Sequence, residues 1–173
     1  MTTAKVIDQA SGDNWSAYNG DCVDVVRGLP DRSVALSMFS PPFASLYTYS
    51  NSPRDMGNVR NDAEFFAHFG YLIDELARVM MRGRVVAMHC MDMPTSKERD
   101  GHIGLRDFPG EIIRAFEKRG FIFHSRVTIW KDPVTAMQRT KAIGLLHKTV
   151  RENASMSRVG IPDYIVAMRA PGD

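Results

Sequence analysis

The sequence of 173 residues has only two cysteines, Cys22 and Cys90, and they lie far apart in the chain. Two cysteines cannot form the disulfide framework of a small secreted domain, and free thiols are typical of a reducing compartment. The five histidines follow none of the spacings that bind zinc in proteins. We therefore predict a cytoplasmic protein with no disulfide and no metal site.

Long apolar runs are also missing. The sequence contains no stretch near the ~18 consecutive apolar residues of a membrane-spanning helix, and the segment MTTAKVIDQASGDNW lacks the apolar centre of a signal peptide. These absences predict that the protein has no membrane partner. The formal net charge is only +2, so any nucleic-acid-binding surface must be a local basic patch.

Helix-like and strand-like patterns alternate along the chain. β-branched and apolar runs predict buried strands, and apolar residues at 3.6-residue spacing predict helices. This alternation predicts an α/β fold with a largely parallel sheet flanked by helices. The predicted strands are SVALSMF, RVVAMHCM, FIFHSRVTIW and DYIVAMR, and the predicted helices are GDCVDVVRGLP, DAEFFAHFGYLIDELARVMMRG and DFPGEIIRAFEKRG.

Local signals predict where the two longer helices begin and end. Asp62 and Asp107 are candidate N-caps, and Gly83 and Gly120 are candidate helix ends. The segments 44–61 and 92–106 are polar and predict loops. The first of them follows a strand directly, and long loops in compact domains are commonly functional.

The stretch LSMFSPPF places two prolines and an aromatic residue directly after a predicted strand. Prolines fix φ near −65°, so they can hold the carbonyl groups of Ser40 and Pro41 in a set direction. These carbonyl groups can accept hydrogen bonds from an amino group, while Phe43 offers a face for stacking. The alternative is that Pro41 and Pro42 only end the strand and that Phe43 packs locally.

The segment NGDCVDVVRGLPDRSVALSMFSPPF resembles the start of the amino-group DNA methyltransferases, in the permuted subgroup whose catalytic motif precedes the cofactor-binding motif. The resemblance continues in order through RDMGN, GRVVAMH, FPGEIIRAFEKRGF and VTIWKDP. SRVGIPDYIVAMR is similar to a segment of phage and prophage DNA methylases. The resemblance implies a Rossmann-like methyltransferase fold, S-adenosylmethionine as cofactor and double-stranded DNA as partner.

The resemblance also implies roles for the residues of the motif. Ser40, Pro41 and Pro42 would hold the exocyclic amino group of a cytosine or adenine flipped out of the duplex, and Phe43 would stack on that base. In this family a serine before the prolines favours cytosine, because aspartate at that position is commoner among adenine enzymes. The preference is weak, since a hydroxyl and a carboxylate can both accept from an amine.

The implied cofactor residues are Asp21, which would approach the adenine moiety, and its neighbour Cys22. The alternative role of Asp21 is to cap a helix or stabilise a turn. The resembling enzymes also carry an aromatic-x-Gly-x-Gly turn after a strand, and no glycine of this sequence lies in that pattern. We therefore predict that residues 1–130 are the catalytic-motif half of a methyltransferase domain and that 161–173 are a returning strand and the chain end.

Residues 131–160 form a basic segment at the position of target recognition in the resembling enzymes. Phosphate contacts dominate affinity for DNA, so this segment predicts a DNA-binding surface, and the alternative is an ordinary solvated loop. Tyr47 either lines the base pocket or only packs the loop after Phe43. The predicted DNA-contacting residues are Tyr47, Arg139, Lys141, Lys148, Arg151 and Arg158.

His89 lies at the end of a predicted strand, with Asp92 close by in sequence. A catalytic base is one interpretation, and a structural histidine is the favoured one.

The leading hypothesis is a DNA amino-methyltransferase or its N-terminal portion. A transferase that acts on RNA or on a protein glutamine is disfavoured by Ser40, since glutamine-modifying enzymes of this kind usually carry asparagine there. A third hypothesis is a catalytically incomplete DNA-binding or regulatory subunit. Such a subunit would need a partner for cofactor binding, either a second copy of the chain or a complementing C-terminal half.

Overall fold

The computed structural model of the chain describes residues 6–43, 50–52, 54–135, 151–152 and 161–172. The strands are β1 (Val6–Gly12), β2 (Trp15–Gly20), β3 (Val34–Phe39), β4 (Met80–Met91), β5 (Met93–Thr95), β6 (Gly104–Arg106), β7 (Ile122–Ile129) and β8 (Asp163–Arg169). The helices are α1 (Cys22–Arg27), α2 (Asp62–Val79), α3 (Lys97–Asp100) and α4 (Phe108–Glu117).

Within the described residues, the central sheet has four strands in the order β3-β4-β8-β7. β3 and β4 pair in parallel, whereas β8 runs antiparallel to both of its neighbours, β4 and β7. The predicted α/β class is confirmed, and the described sheet is mixed, with one strand reversed, rather than largely parallel. The last strand inserts between two strands that run in the same direction, and the order of patterns along a sequence does not reveal such an insertion.

This insertion brings four chain segments to one edge of the sheet, which we call the site edge. The N-terminal end of β8 lies between the C-terminal ends of β4 and β7, with Asp163 opposite Met91 and Ile129. β3 ends nearby at Phe39, opposite Met88. The residues that follow β3, including Ser40, therefore emerge at the site edge.

The ends of α2 differ from those predicted by one turn or less. Asn61 rather than Asp62 is the N-cap, since its side-chain oxygen accepts from the backbone N–H of Glu64 at 2.9 Å. The helix stops at Met80, where the backbone becomes extended and pairs with β3. Gly83 therefore lies within β4, at a φ of +67° that favours glycine, and is not the helix end.

The other predicted helices are confirmed, with their caps. Asp107 begins α4 by accepting from the backbone N–H of Gly110 at 2.8 Å, and Gly120 follows the helix with a φ of +83°. α1 ends at Gly28, within the predicted helical segment GDCVDVVRGLP.

Two hairpins were not predicted from the sequence. β1 and β2 pair antiparallel around Asp13 and Asn14, two turn-forming residues between strands that are mostly exposed. β5 and β6 pair within the segment 92–106, which the sequence analysis assigns to a loop. Both hairpins are short or exposed, so they lack the apolar alternation that identifies a half-buried strand.

The core lies between the sheet and the helices α2 and α4. Phe65, Phe69, Phe108 and Phe116 are fully buried there. The ring of Phe116 lies 6.0 Å from that of Phe69 and 5.0 Å from that of Phe121, measured between centroids. These edge-on contacts join α2 and α4 to the start of β7.

The opposite face of the sheet is apolar and open to solvent in the part of the chain that the structure describes. Leu36 is 58% exposed, Met38 is 72% exposed and Val127 is 57% exposed. The prediction that SVALSMF is a buried strand is therefore wrong for alternate residues. β3 lies at the end of the sheet, and the described helices cover the face to which Phe39 contributes.

Within the described ranges, no helix combines the length and the apolar composition needed to cross a membrane. The same ranges contain no cluster of three histidine, cysteine or acidic side chains suited to a metal ion.

Replacing Phe116 by alanine removes a fully buried ring, so we expect the free energy of unfolding to fall by about 3–5 kcal/mol. Urea denaturation followed by circular dichroism measures this loss. Phe123→Ala is the control, because the Phe123 side chain already contacts solvent. Equal losses in the two variants would contradict the assignment of the core to the α2–α4 side.

Candidate active site

The residues Ser40, Pro41 and Pro42 line a cavity of about 1130 Å³ next to the site edge. Pro41 is buried and Ser40 is exposed, so a buried proline anchors the motif while its serine hydroxyl remains accessible. The half-buried ring of Phe43 follows the motif but is not part of the cavity wall; it lies 6.4 Å from the ring of Phe108 and 6.5 Å from that of His89, measured between centroids. The motif thus ends the strand and also presents polar groups to a cavity.

Asp21 and Cys22 lie in the wall of the same cavity. Asp21 has the capping role that the sequence also allows, since its Oδ1 accepts from the backbone N–H groups of Val23 at 2.9 Å and Asp24 at 3.3 Å. Its second oxygen, Oδ2, lies 3.2 Å from Nε of Arg54. The side chain remains 25% exposed, so the capping carboxylate also faces the cavity.

The Cys22 thiol is exposed and unpaired with any other cysteine. Desolvation by the surrounding wall raises the pKa of this thiol, and the neighbouring Asp21 carboxylate raises it further. Arg54 acts weakly in the opposite direction. Cys22 is therefore mostly a neutral thiol near pH 7, without the activation expected of a nucleophile.

A segment after the motif, residues 50–52 and 54–58, covers one side of the cavity; we call it the strap. Asp55 holds its shape by accepting from Ser50 Oγ at 2.8 Å and from the backbone N–H of Gly57 at 2.8 Å. Arg54 ties the strap to α1 through Asp21 and through Asp24, at 2.8 Å. Arg54 is not predicted as a site residue, because a single arginine in a polar loop gives no sequence signal for the carboxylates that it contacts.

The site edge carries a line of four polar side chains, one from the end of each strand of the central sheet; we call it the four-residue array. Ser40 Oγ donates to the backbone carbonyl of His89 at 3.0 Å and lies 3.3 Å from His89 Nδ1. His89 Nε2 lies 3.1 Å from Asp163 Oδ2. Lys131 Nζ donates to Asp163 Oδ1 at 2.6 Å. The partner of His89 is therefore Asp163 rather than the nearby Asp92, and Asp163 was not singled out from the sequence.

Burial shifts the pKa of three other titratable groups near this edge in the direction that favours their neutral forms. Burial raises the pKa of the Cys90 thiol to about 12, which makes this cysteine chemically inert. Burial also raises the pKa of Asp92, and the Asp107 carboxylate adds to that rise. The pKa of Tyr164 is likewise raised by burial.

Of the predicted DNA-contacting residues, the structure describes Arg151 alone, and it is not part of the cavity wall. Arg151 is exposed. Tyr47, Arg139, Lys141, Lys148 and Arg158 lie outside the described residues.

No protein-family model and no curated protein matches the chain. Solved structures do match it. The protein TTHA0409 of Thermus thermophilus, provisionally assigned as a DNA modification methylase and complexed with S-adenosyl-L-methionine, is 21% identical over 89% of this chain and 52% of its own, with a TM-score of 0.62. The cytosine-N4-specific PvuII DNA methyltransferase is 14% identical over 88% of this chain and 49% of its own, with a TM-score of 0.58.

The chain thus spans about half the length of these two structures. At such low identity the likeness shows the fold alone, which is the α/β fold of these methyltransferase structures. The permuted order of motifs and the phage type remain predictions from the sequence.

The charged side chains around Cys22 predict how substitutions change the alkylation rate of its thiol. Replacing Asp21 by asparagine keeps a good helix cap and removes the nearby negative charge, so the pKa of Cys22 should fall and its alkylation by iodoacetamide at pH 8 should speed up. Arg54→Gln should slow the reaction, because the thiolate loses a nearby cation. The pH–rate profile, followed by mass spectrometry, should shift to lower pH for Asp21→Asn and to higher pH for Arg54→Gln.

Asp74→Asn is the control, because Asp74 pairs with Arg119 and does not line the cavity. Identical profiles for all four proteins would contradict the described surroundings of Cys22.

Proposed function

We propose that this chain is a site-specific DNA methyltransferase, or its N-terminal portion, that transfers a methyl group from S-adenosylmethionine to the exocyclic amino group of a flipped cytosine or adenine. The observation that carries the proposal is the position of Ser40, Pro41 and Pro42 at the site edge, in the wall of a cavity shared with Asp21. The fold similarity to methyltransferase structures supports it.

The motif suits an amine that must act as a nucleophile. Pro41 and Pro42 have no backbone N–H group, so this part of the wall offers acceptors rather than donors. The Ser40 hydroxyl oxygen and the nearby carbonyl groups can accept hydrogen bonds from the two N–H groups of an amino group. Fixing those bonds directs the nitrogen lone pair, and positioning of this kind lowers the barrier of a direct transfer.

The described cavity fits one end of the cofactor. Its volume of about 1130 Å³ is slightly above the range of roughly 300–1,000 Å³ typical of small-molecule sites. Asp21, partly exposed, offers a carboxylate to amino or hydroxyl groups of an adenosine moiety, and Ser50 and Ser52 add polar groups. S-adenosylmethionine would supply a methyl group on a positively charged sulfur.

The target base is cytosine or adenine, with Ser40 favouring cytosine weakly through the family resemblance. The PvuII enzyme, which is similar in fold, is cytosine-N4-specific. Phe43 lies next to the motif and is only half buried, so part of its ring is available to a base. The basic segment 131–160 is the proposed surface for phosphate contacts.

A second candidate function is a catalytically incomplete subunit that binds DNA and needs a partner to bind the cofactor. The observation in its favour is the open apolar face with Leu36, Met38 and Val127. Exposed apolar surfaces of this kind commonly mark interfaces. The partner would be a second copy of the chain or a complementing C-terminal half, and with that partner the Ser40 site would be the same.

The test of the proposed function is methyl transfer from labelled S-adenosylmethionine to unmethylated DNA, followed by nucleoside mass spectrometry. We expect one methylated amino base, and Pro42→Ala should lower the rate by about 100-fold, because a small misplacement of the amine is costly. Pro30→Ala is the matched control, because Pro30 is exposed and lies outside the cavity wall.

Transfer that survives unchanged in Pro42→Ala would contradict the assigned site. Salt-dependent DNA binding without any transfer would favour the incomplete subunit over the complete enzyme.

A further inference from the structure

The side chains of the four-residue array contact one another, and such contacts are not needed merely to end the strands. Each strand of the central sheet contributes one member in spatial order: Ser40 after β3, His89 in β4, Asp163 at the start of β8 and Lys131 after β7. The three contacts between them measure 3.3, 3.1 and 2.6 Å. Lys131 is thereby linked to the serine of the motif through two intermediate side chains.

We infer that His89 is a positioning residue that sets Ser40 as a hydrogen-bond acceptor and takes up, through Ser40, the proton that the target amine releases. Asp163 and Lys131 fix the orientation of the His89 ring. The inference rests on the proposed function, since it names how the Ser40 site handles the proton of its substrate.

The direction of the hydrogen bonds follows from the ends of the array. The Asp163 carboxylate, paired with the Lys131 ammonium, can only accept hydrogen bonds. His89 Nε2 must then carry a hydrogen and donate it to Asp163. In a neutral imidazole this makes Nδ1 an acceptor, and Nδ1 is the ring nitrogen that faces Ser40.

The Ser40 hydroxyl proton therefore points toward His89, either to Nδ1 or to the backbone carbonyl at 3.0 Å. In both arrangements the lone pairs of Ser40 Oγ are left for an incoming N–H group. A serine without such a partner can rotate its hydroxyl and act as donor, which would oppose binding of an amino group. His89 thus restricts Ser40 to the acceptor role.

The same contacts provide a balanced path for the proton. When the amino nitrogen has bonded to the methyl carbon and the carbon–sulfur bond has broken, the nitrogen is positively charged and must lose one proton. Ser40 Oγ accepts that proton while the original Ser40 hydroxyl proton moves to His89 Nδ1. The product amine and Ser40 end neutral, and His89 ends as an imidazolium beside Asp163.

The burial of the array suits this path. Asp163 is only 16% exposed, so its charge acts on His89 with little screening, and His89 is 38% exposed, so its proton can leave to solvent. Among the described carboxylates, Asp163 is the one that contacts the His89 ring. His89 and Asp163 belong to the continuous sheet, and Ser40 and Lys131 follow the ends of its two outer strands by one and two residues.

The first test measures the hydrogen bonds directly and needs no catalysis. Nitrogen-15 NMR of the histidine rings, with His89 assigned by its loss in His89→Gln, should show Nε2 protonated and Nδ1 as an acceptor. Asp163→Asn should weaken that preference, because an amide can donate as well as accept. A His89 ring protonated on Nδ1 alone would overturn the inference.

The second test asks whether catalysis uses the array. His89→Gln should lower kcat for methyl transfer by about 100-fold, as loss of a proton acceptor commonly does, with KM for DNA unchanged. Lys131→Met should lower kcat less, and Lys131→Arg should restore it. The control is His124→Gln, because His124 is exposed near the opposite end of β7 and contacts Ser125.

The outcomes separate the two proposals. A wild-type chain that transfers methyl groups while His89→Gln is equally fast would overturn the inference and leave the proposed function intact. A wild-type chain without transfer activity, supplied with DNA and S-adenosylmethionine, would overturn the function and the proton path together. The NMR result would then stand only as a description of the ring.

Discussion

The insertion of β8 between β4 and β7 is the constraint on which the site depends. Because β8 runs antiparallel to both neighbours, its first residue, Asp163, meets the last residues of two strands that run the other way. A fully parallel sheet would place the start of that strand at the opposite edge. The contact between Asp163 and His89 exists because of this one reversal, whereas the parallel pairing of β3 and β4 places Ser40 beside His89.

The helices α2 and α4 pack on one face of the sheet that carries the site edge. The buried phenylalanines of α2 and α4 fix the covered face of the sheet, and Phe43 extends this core to the motif. On the other side of the motif, α1 and the strap enclose the cavity through Asp21 and Arg54. The open apolar face with Leu36 and Met38 continues to the site edge, because His89 lies on the same face of β4 as Ala87, the pairing partner of Met38. The second candidate function places a partner on this face.

Much of the local structure could be predicted from the sequence, because local signals determine it. The caps Asp21 and Asp107, the helix periodicity and the strand runs all act within a few residues. The wrong predictions concern the relation between elements. Leu36 and Met38 have the composition of a buried strand, and only the sheet order shows that their face is open. Likewise, the pairing of His89 with Asp163 joins residues 74 positions apart.

The position of the motif around Ser40 at the end of a strand could be predicted from the sequence, because two prolines after an apolar run are a local signal. Its role is inferred from resemblance.

The most direct test of the central claim is whether a base enters the site beside Ser40. A single-stranded oligonucleotide rich in cytosine needs no base flipping and no recognition sequence, and it can be titrated into labelled protein by amide chemical-shift mapping. The account predicts the largest shifts at Ser40, Phe43 and His89, with Pro42→Ala reducing them. Shifts confined to the β1–β2 hairpin or to the open apolar face at saturating oligonucleotide would contradict it.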